Sequence, residues 1–297
     1  MKATGFDIHA EITNRIVEAI EKGTGTFQMS WHVTGSTRSP TNSLTKRAYR
    51  GVNVLSLWIT AQASGYQSAE WATFKQWQEQ GCSVRKGERG TPIVFYKSLS
   101  VEGDAPEGSE ETERKIPFAR ASWVFNAAQV EGAAMPPAAI PETAPLFDRL
   151  QHVEHVVAAT GADISHGGAR AFYQRLEDRI QMPDIALFTG TETSTPQEAY
   201  YSTMFHELAH WTGAEHRLNR EKGKRFADKA YAFEEIIAEL TAAFLCVDLG
   251  ITASPRIDHA QYIAEYLEIL RNDKRAIFTA ATAAQAAAEF IKATIPT

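Results

Sequence analysis

The sequence predicts an α+β fold in two domains. Its N-terminal part combines segments of helical periodicity with an apolar, strand-like segment. Four prolines fall within residues 133–145, a density that neither a helix interior nor a central strand tolerates. At about 100–200 residues per domain, a chain of 297 residues also favours two domains. We therefore expect an N-terminal domain over 1–132, a Pro/Ala-rich linker over 133–145 and a C-terminal domain over 146–297.

The elements of the N-terminal domain follow from the spacing of apolar residues. Between Phe6 and Lys22 these residues recur every three or four positions, which predicts a helix that ends at Gly23. The stretch from Val101 to Arg114 holds six acids, a proline and two glycines, which indicates a solvated loop. We expect, besides these, helices over 52–64 and around 71–77, and strands over 93–96 and 116–126.

In the C-terminal domain the patterns are mainly helical. Thr195 and Pro196 are typical of a helix start, and Gly213 of a helix end. Residues 231–245 are strongly apolar apart from three glutamates, which predicts a second helix. We further expect a hairpin or edge strand over 171–183 and a helical, alanine-rich tail over 257–297.

The overall composition excludes several classes of protein. No run of about 18 apolar residues exists, so we expect no membrane span. Four acids within the first 25 residues argue against a signal peptide. Cys82 and Cys246 are too few to form a disulfide framework. These observations favour a cytoplasmic protein.

The net charge of −6 conceals a difference between the two domains. Residues 1–132 hold fifteen Lys and Arg residues against fourteen acids, and six of those acids lie in the 101–114 loop. Residues 133–297 hold fifteen basic and twenty-two acidic residues. The acidity therefore belongs to the C-terminal half and does not exclude a nucleic-acid partner for the N-terminal half.

The N-terminal domain interleaves cations with aromatic side chains. Single-stranded nucleic acid is held by cations that follow its phosphates and by aromatic faces on which its bases stack. The opposing interpretation is that basic turns are merely solvated and that Trp58, Trp77 and Trp123 belong to the core. The candidate nucleic-acid contacts are Trp31, Arg38, Lys46, Arg47, Tyr49, Arg50, Asn53, Lys75, Lys86 and Arg89.

Residues 206–210 read His-Glu-Leu-Ala-His, the H-E-x-x-H motif. On a helix, His206 and His210 project from one face and can bind one Zn²⁺ together. Glu207 is then placed to act as the general base of a metallopeptidase. Tyr200 or Tyr201 is a further candidate, as the hydrogen-bond donor to the oxyanion that forms during hydrolysis.

A catalytic zinc needs a third protein ligand, and the sequence offers several candidates for it. Glu235 is preferred, because a carboxylate on so apolar a helix is costly to bury without a partner. Glu239 lies on the same face and could orient a ligand imidazole or itself ligate. His216 completes the spacing of the metzincins, but no methionine follows the motif as that group requires. Glu234 is the remaining alternative.

The blocks around these residues resemble a known family. Residues 205–213, 217–220 and 231–240 resemble the metallopeptidase domain of plasmid and phage antirestriction proteins of the ArdC type, and 49–55, 84–90 and 124–132 resemble that family's single-stranded-DNA-binding domain. The resemblance implies a zincin-like fold for 146–297, a Zn²⁺ or Mn²⁺ cofactor and an unknown protein substrate. It also implies a protein that protects incoming plasmid DNA from restriction during conjugation. The alternative is a DNA-protecting binding protein whose metal site is structural or inactive.

Overall fold

A computed structural model describes residues 6–23, 39–101, 114–133, 146–190, 194–220, 227–251 and 259–294. Nearly all of the expected linker and most of the expected 101–114 loop lie outside these ranges, as do the candidate contacts Trp31 and Arg38. The described residues form a mixed helix and sheet structure, which confirms the α+β prediction. Among them, no helix is both long and apolar enough to cross a bilayer.

The N-terminal half contains three helices and six strands among its described residues. The predicted long strands are present and extend further than the sequence indicated. The predicted helices are present too, except that residues 71–73, expected at the start of a helix, belong to a strand, and that helix begins at Phe74. In chain order the elements are α1 (Ile8–Gly23), β1 (Thr41–Asn42), α2 (Val52–Ser64), β2 (Glu70–Thr73), α3 (Phe74–Glu79), β3 (Ser83–Val84), β4 (Thr91–Val101), β5 (Arg114–Asn126) and β6 (Val130–Glu131).

The main sheet has the order β1-β2-β5-β4. Strands β4 and β5 pair antiparallel along their length, with Thr91 opposite Val124, and β2 pairs antiparallel with the other side of β5. Strand β1 is parallel to β2, and β3 and β6 form a separate ribbon. The capping box of Thr73 and Gln76 starts α3 directly after β2, so the chain turns from strand to helix without a loop.

The C-terminal half is mainly helical. Its elements are α4 (Leu146–Ala159), β7 (Asp163–His166), β8 (Phe172–Gln174), β9 (Arg179–Met182), α5 (Pro196–Thr212), α6 (Ala227–Asp248), α7 (His259–Asn272) and α8 (Ala276–Ala293). The order of the small sheet is β7-β9-β8, so the predicted hairpin is β8–β9. Strand β9, with the buried Ile180 and Met182, is central, and the sheet edges are β7 and β8.

The two halves share one hydrophobic core. Helix α1 packs against α7, and α2 against the alanine-rich α8. Five alanines of α8 are fully buried, and small side chains of this kind let neighbouring backbones approach closely. At the junction Arg50 pairs with Glu289, and the Gly51 amide donates to Gln285 Oε1 at 3.3 Å. Helix α8 also packs along α6, so it links the N-terminal half to the helix that carries Glu235.

Candidate metal centre

Helix α5 carries the H-E-x-x-H motif and starts at a capping box. The Glu198 amide donates to Thr195 Oγ1, and the Thr195 amide donates to the Glu198 carboxylate. Pro196 occupies the first turn, where its missing N–H costs nothing. Phe205, Leu208 and Ala209 are fully buried and hold the helix against the core. The motif is therefore fixed by packing on one side and exposes its ligand face to α6.

Helix α6 packs against α5 and brings two buried carboxylates to it. Glu235 and Glu239 lie one turn apart and are both buried. Their apolar neighbours Ile236, Ile237 and Leu240 fill the core around them. Carboxylates in such surroundings require compensating partners. The partners are the imidazoles of α5.

Three candidate ligand side chains converge between the helices. His206 Nε2 lies 3.1 Å from His210 Nε2, while Glu235 Oε2 and Oε1 lie 3.3 Å from His206 Nε2 and 3.4 Å from His210 Nε2. Ligand atoms about 2.1 Å from a tetrahedral ion are about 3.4 Å apart. The spacing and the two-imidazole, one-carboxylate chemistry therefore fit a divalent metal ion, and His206, His210 and Glu235 are the group of described residues that could hold one.

The outer nitrogens of both imidazoles face carboxylates. His206 Nδ1 lies 2.7 Å from Glu239 Oε1, and His210 Nδ1 lies 3.8 Å from Glu234 Oε1. Arg220 holds Glu234 through a bond of 2.6 Å. A carboxylate on the outer nitrogen fixes the tautomer in which the inner nitrogen presents its lone pair to a metal. The sequence offered Glu239 and Glu234 as alternative ligands. In the structure they face the outer nitrogens of the two imidazoles and not the point where the inner nitrogens and Glu235 converge.

The electrostatics of the site favour positive charge at its centre. Burial lowers the pKa of His210, but the carboxylates of Glu234 and Glu235 outweigh it and raise this pKa to about 10. Burial raises the pKa of Glu235, but hydrogen bonds from His206 and His210 hold it well below the usual range of a carboxyl. A divalent cation supplies the same compensation without protons.

Glu207 follows the first histidine and is only 2% exposed. Its negative charge is among the causes that raise the pKa of His210, so the carboxylate lies within electrostatic reach of the ligand group. A carboxylate in this position is available to exchange a proton with a reactant at the site.

The remaining sequence alternative for the third ligand, His216, lies elsewhere. Its imidazole is 64% exposed, and its Nε2 lies 3.3 Å from Asp178 Oδ2 and 2.6 Å from an Arg217 nitrogen. It is therefore part of the contact between the end of α5 and the β8–β9 turn. The position of His216 depends on how the end of α5 meets this turn, and the motif alone does not reveal it.

An Arg217 clamp ties that turn to α5, and sequence reasoning missed it. The guanidinium of Arg217 forms a double ion pair with Asp178, donates to the Trp211 carbonyl at 2.6 Å and lies 4.0 Å from the centre of the Trp211 ring. Tyr173 donates to Asp178 Oδ1 at 2.7 Å. No periodicity connects residue 178 to residue 217, so only the fold joins them. The clamp orients the small sheet beside α5.

The clamp makes a testable contribution to stability at low pH. The bond from Arg217 is the main cause that lowers the pKa of Asp178 from 3.8 to about 2. A carboxyl whose pKa is lower in the folded protein stabilises it fully above the unfolded pKa, and this contribution is lost as the pH falls towards the folded value. We expect the free energy of unfolding of wild type and Asp178→Asn to differ at pH 5 and to converge between pH 3.8 and about 2. Denaturant titrations across this range measure it, and a difference that stays constant with pH would contradict it.

The hydroxyls of the two tyrosines considered as oxyanion donors bond to other side chains. Tyr201 donates to Glu154 at 2.7 Å, and the Tyr200 hydroxyl lies 2.7 Å from His166 Nε2. Burial and the Glu154 carboxylate raise the pKa of Tyr201 well above the usual range of a phenol, so it remains protonated. Both side chains are buried between α5 and its neighbours and serve packing.

The sequence-predicted nucleic-acid contacts divide into exposed and buried residues. Tyr49 and Asn53 are buried: the Tyr49 hydroxyl bonds to Asn42, and the Asn53 amide exchanges two bonds of 2.8 Å with the Val94 backbone. Their side chains therefore serve the fold. Lys46, Arg50 and Lys75 are exposed and pair with Glu70, Glu289 and Glu79. Arg47, Lys86 and Arg89 are exposed and form no ion pair with another described residue.

Comparison with known proteins gives consistent matches to both halves. A family model described as the N-terminal domain of anti-restriction factor ArdC matches residues 6–125, and one described as zincin-like metallopeptidase matches 151–283. The uncharacterized protein y4eC of Sinorhizobium fredii is 43% identical over 98% of this chain and 93% of its own length. A DNA primase TraC of Escherichia coli is 34% identical over 96% of this chain, which spans only 27% of that primase.

Solved structures extend the likeness to the whole fold. The metal-free crystal structure of the antirestriction protein ArdC from plasmid R388 has a TM-score of 0.79 and 37% identity, over 98% of each chain. The Mn(II)-bound structure has a TM-score of 0.75 and 38% identity, over 98% of this chain and 99% of the other. The chain therefore belongs to the ArdC family of antirestriction proteins and combines its N-terminal domain with a zincin-like domain.

Proposed function

We propose that the C-terminal half is a metal-dependent peptidase in which Glu207 is the general base. The observation that carries the proposal is the convergence of His206, His210 and Glu235 at ligand spacing, with Glu207 on the same helix. The expected zincin chemistry needs this arrangement of two imidazoles, one carboxylate and one further acid.

The protein groups would divide the work of hydrolysis between them. A bound divalent ion supplies Lewis acidity, which polarises a peptide carbonyl and lowers the pKa of water. Glu207 takes a proton from the attacking water and returns it to the leaving amine. Glu239 and Glu234, held against the outer nitrogens, keep both imidazoles oriented while charge develops.

We propose Zn²⁺ as the resident ion, with Mn²⁺ as the alternative. Two imidazoles and a carboxylate suit Zn²⁺, while the R388 relative has been crystallised with Mn(II). That relative has also been crystallised without metal, and both forms match this chain. This favours an exchangeable ion over one that holds the fold together, and so weighs against a purely structural site.

We also propose that the N-terminal half binds single-stranded DNA without sequence preference. The support is the set of exposed cations, of which Arg47, Lys86 and Arg89 are not neutralised by described residues. Exposed Lys and Arg residues attract any phosphate backbone, whatever its base sequence. In the cytoplasm of a recipient cell, such binding would protect incoming plasmid DNA from restriction during conjugation, and the peptidase would act on a protein substrate.

The alternative is that DNA binding alone protects, with the metal site inactive. It rests on the separation of functions along the chain, since exposed cations lie in one half and the ligand group in the other. Both accounts require DNA binding, and they differ in whether Glu207 is needed.

Salt dependence tests the DNA half of the proposal. For the full chain and a labelled oligonucleotide, we expect the affinity to fall with salt, with a slope of log K against log salt of about −0.7 for each phosphate neutralised. The double variant Lys86→Ala/Arg89→Ala loses two phosphate contacts, so its slope should be less steep by about 1.4. Fluorescence anisotropy at several salt concentrations measures both. A slope near zero in the wild type would contradict the proposal.

A further inference from the structure

The N-terminal half exposes a row of aromatic rings that are absent from the candidate nucleic-acid contacts predicted from the sequence. The rings belong to Phe6, Trp123, Phe125 and Phe74, which we call the aromatic strip. The ring centres of Phe6 and Trp123 are 5.3 Å apart, and those of Phe74 and Phe125 are 6.4 Å apart. Phe6, Trp123 and Phe74 are each about half exposed, at 56%, 45% and 48%.

Strand geometry places the middle of the strip on one face. Trp123 and Phe125 flank the fully buried Val124 on β5, so their side chains point to the face opposite to it. Gly90 lies directly against both: a Cβ at this position would be 2.9 Å from Trp123 Cβ and 3.3 Å from the Phe125 ring. The glycine thus keeps the space between the two rings free of side chain.

Cations accompany the strip. Lys75 directly follows Phe74 of the strip, and Arg89 directly precedes Gly90, which lies against Trp123 and Phe125. Consecutive Cα atoms are about 3.8 Å apart, so both cations start beside the strip. The Lys75 side chain is 86% exposed and 3.8 Å from Glu79. Arg89 and Lys86 are exposed with no ion pair to any described residue. The nearby Glu88 is occupied by Arg85 and Gln129, each at 2.9 Å.

We propose that the aromatic strip is the surface on which single-stranded DNA stacks its bases, with Lys75, Lys86 and Arg89 on the phosphates. The proposal rests on the proposed function and names the residues that perform it. Adjoining half-exposed rings are unusual on a soluble surface unless they bind something. Their combination with cations matches single-stranded nucleic acid, whose bases are free to stack, whereas the bases of a duplex already stack on one another.

The test compares Trp123 variants of the full chain on two ligands. The probes are labelled oligo-dT and an abasic strand of the same length, which keeps the phosphates and lacks the bases. Trp123→Ala should weaken oligo-dT binding about 5- to 150-fold. Trp123→Phe should stay close to wild type, because any aromatic face can stack. Phe172→Ala removes an equally exposed ring, at 44%, from the C-terminal half and should change nothing.

The abasic strand separates stacking from a structural effect. Trp123→Ala should bind the abasic strand as well as wild type does, because the lost contact is to bases only. Phe74→Ala, on a different element, should likewise weaken binding of oligo-dT and leave binding of the abasic strand unchanged. Agreement between the two variants would exclude a folding defect in one of them as the cause. Full oligo-dT affinity in Trp123→Ala would overturn the inference, as would equal losses on both strands. Absence of DNA binding by the wild type would instead overturn the proposed function.

Discussion

Glu207→Gln is expected to lower peptidase activity by about 10²- to 10⁴-fold, the range that a general base contributes. Glutamine has nearly the same size and keeps an acceptor oxygen, but it cannot take a proton from water. Since Glu207 is not one of the three converging ligands, the variant should keep its metal. Cleavage of an unstructured protein, with and without single-stranded DNA, measures activity, and elemental analysis measures bound metal.

The same variant decides between the two accounts of antirestriction. Protection of plasmid DNA in cells should fall with Glu207→Gln if proteolysis is needed and should persist if binding alone protects. Glu215→Gln is a suitable control, because this exposed glutamate lies beyond the end of α5. Full peptidase activity in Glu207→Gln would remove the residue from the proposed mechanism.

His206→Ala and Glu235→Ala are each expected to abolish tight metal binding. Each change removes one of the three proposed ligands and leaves two, too few to hold the ion tightly. Glu239→Gln should weaken binding by about 10- to 100-fold, because it changes only the partner of the outer His206 nitrogen. Calorimetric titration with Zn²⁺ and with Mn²⁺ measures the affinities.

His216→Ala is the matched control for these variants. It removes a histidine that motif spacing offered as a ligand, but that the fold places against Asp178. We expect its metal affinity to equal that of the wild type. A fully metallated Glu235→Ala, or loss of metal in His216→Ala, would show that the third ligand lies elsewhere.

The sequence was sufficient wherever local periodicity determines structure. The spacing of Ile8 to Ile20 predicted α1, and the cap at Thr195 predicted the start of α5. Chain length and the proline-rich segment predicted two domains, in agreement with the two family models. The cost of burying a carboxylate in an apolar helix favoured Glu235, although the fold was needed to bring it to the two histidines.

The sequence was insufficient where distant segments decide the environment. Trp123 was expected in the core because its neighbours are apolar, and this was wrong: Val124 faces the core and strand alternation leaves Trp123 exposed. Asn53 has the chemistry of a nucleic-acid contact, yet α2 places it over β4, where it satisfies the Val94 backbone. The choice among His216, Glu234 and Glu235 likewise depends on how α6 lies across α5.

The alanine-rich helix α8 constrains how proteins of this kind can exchange parts. It contacts α2 of the N-terminal half and α6, the helix that carries Glu235. Arg50 and the Gly51 amide also bond to its polar side chains. In a chimera that joins another family member's N-terminal half to this C-terminal half, the side chains of α2 and α8 would not be matched to each other. Because α8 packs along α6 as well as against α2, moving α8 with the grafted half would only shift the mismatch to α6. Inheritance of the two halves is therefore expected to be coupled.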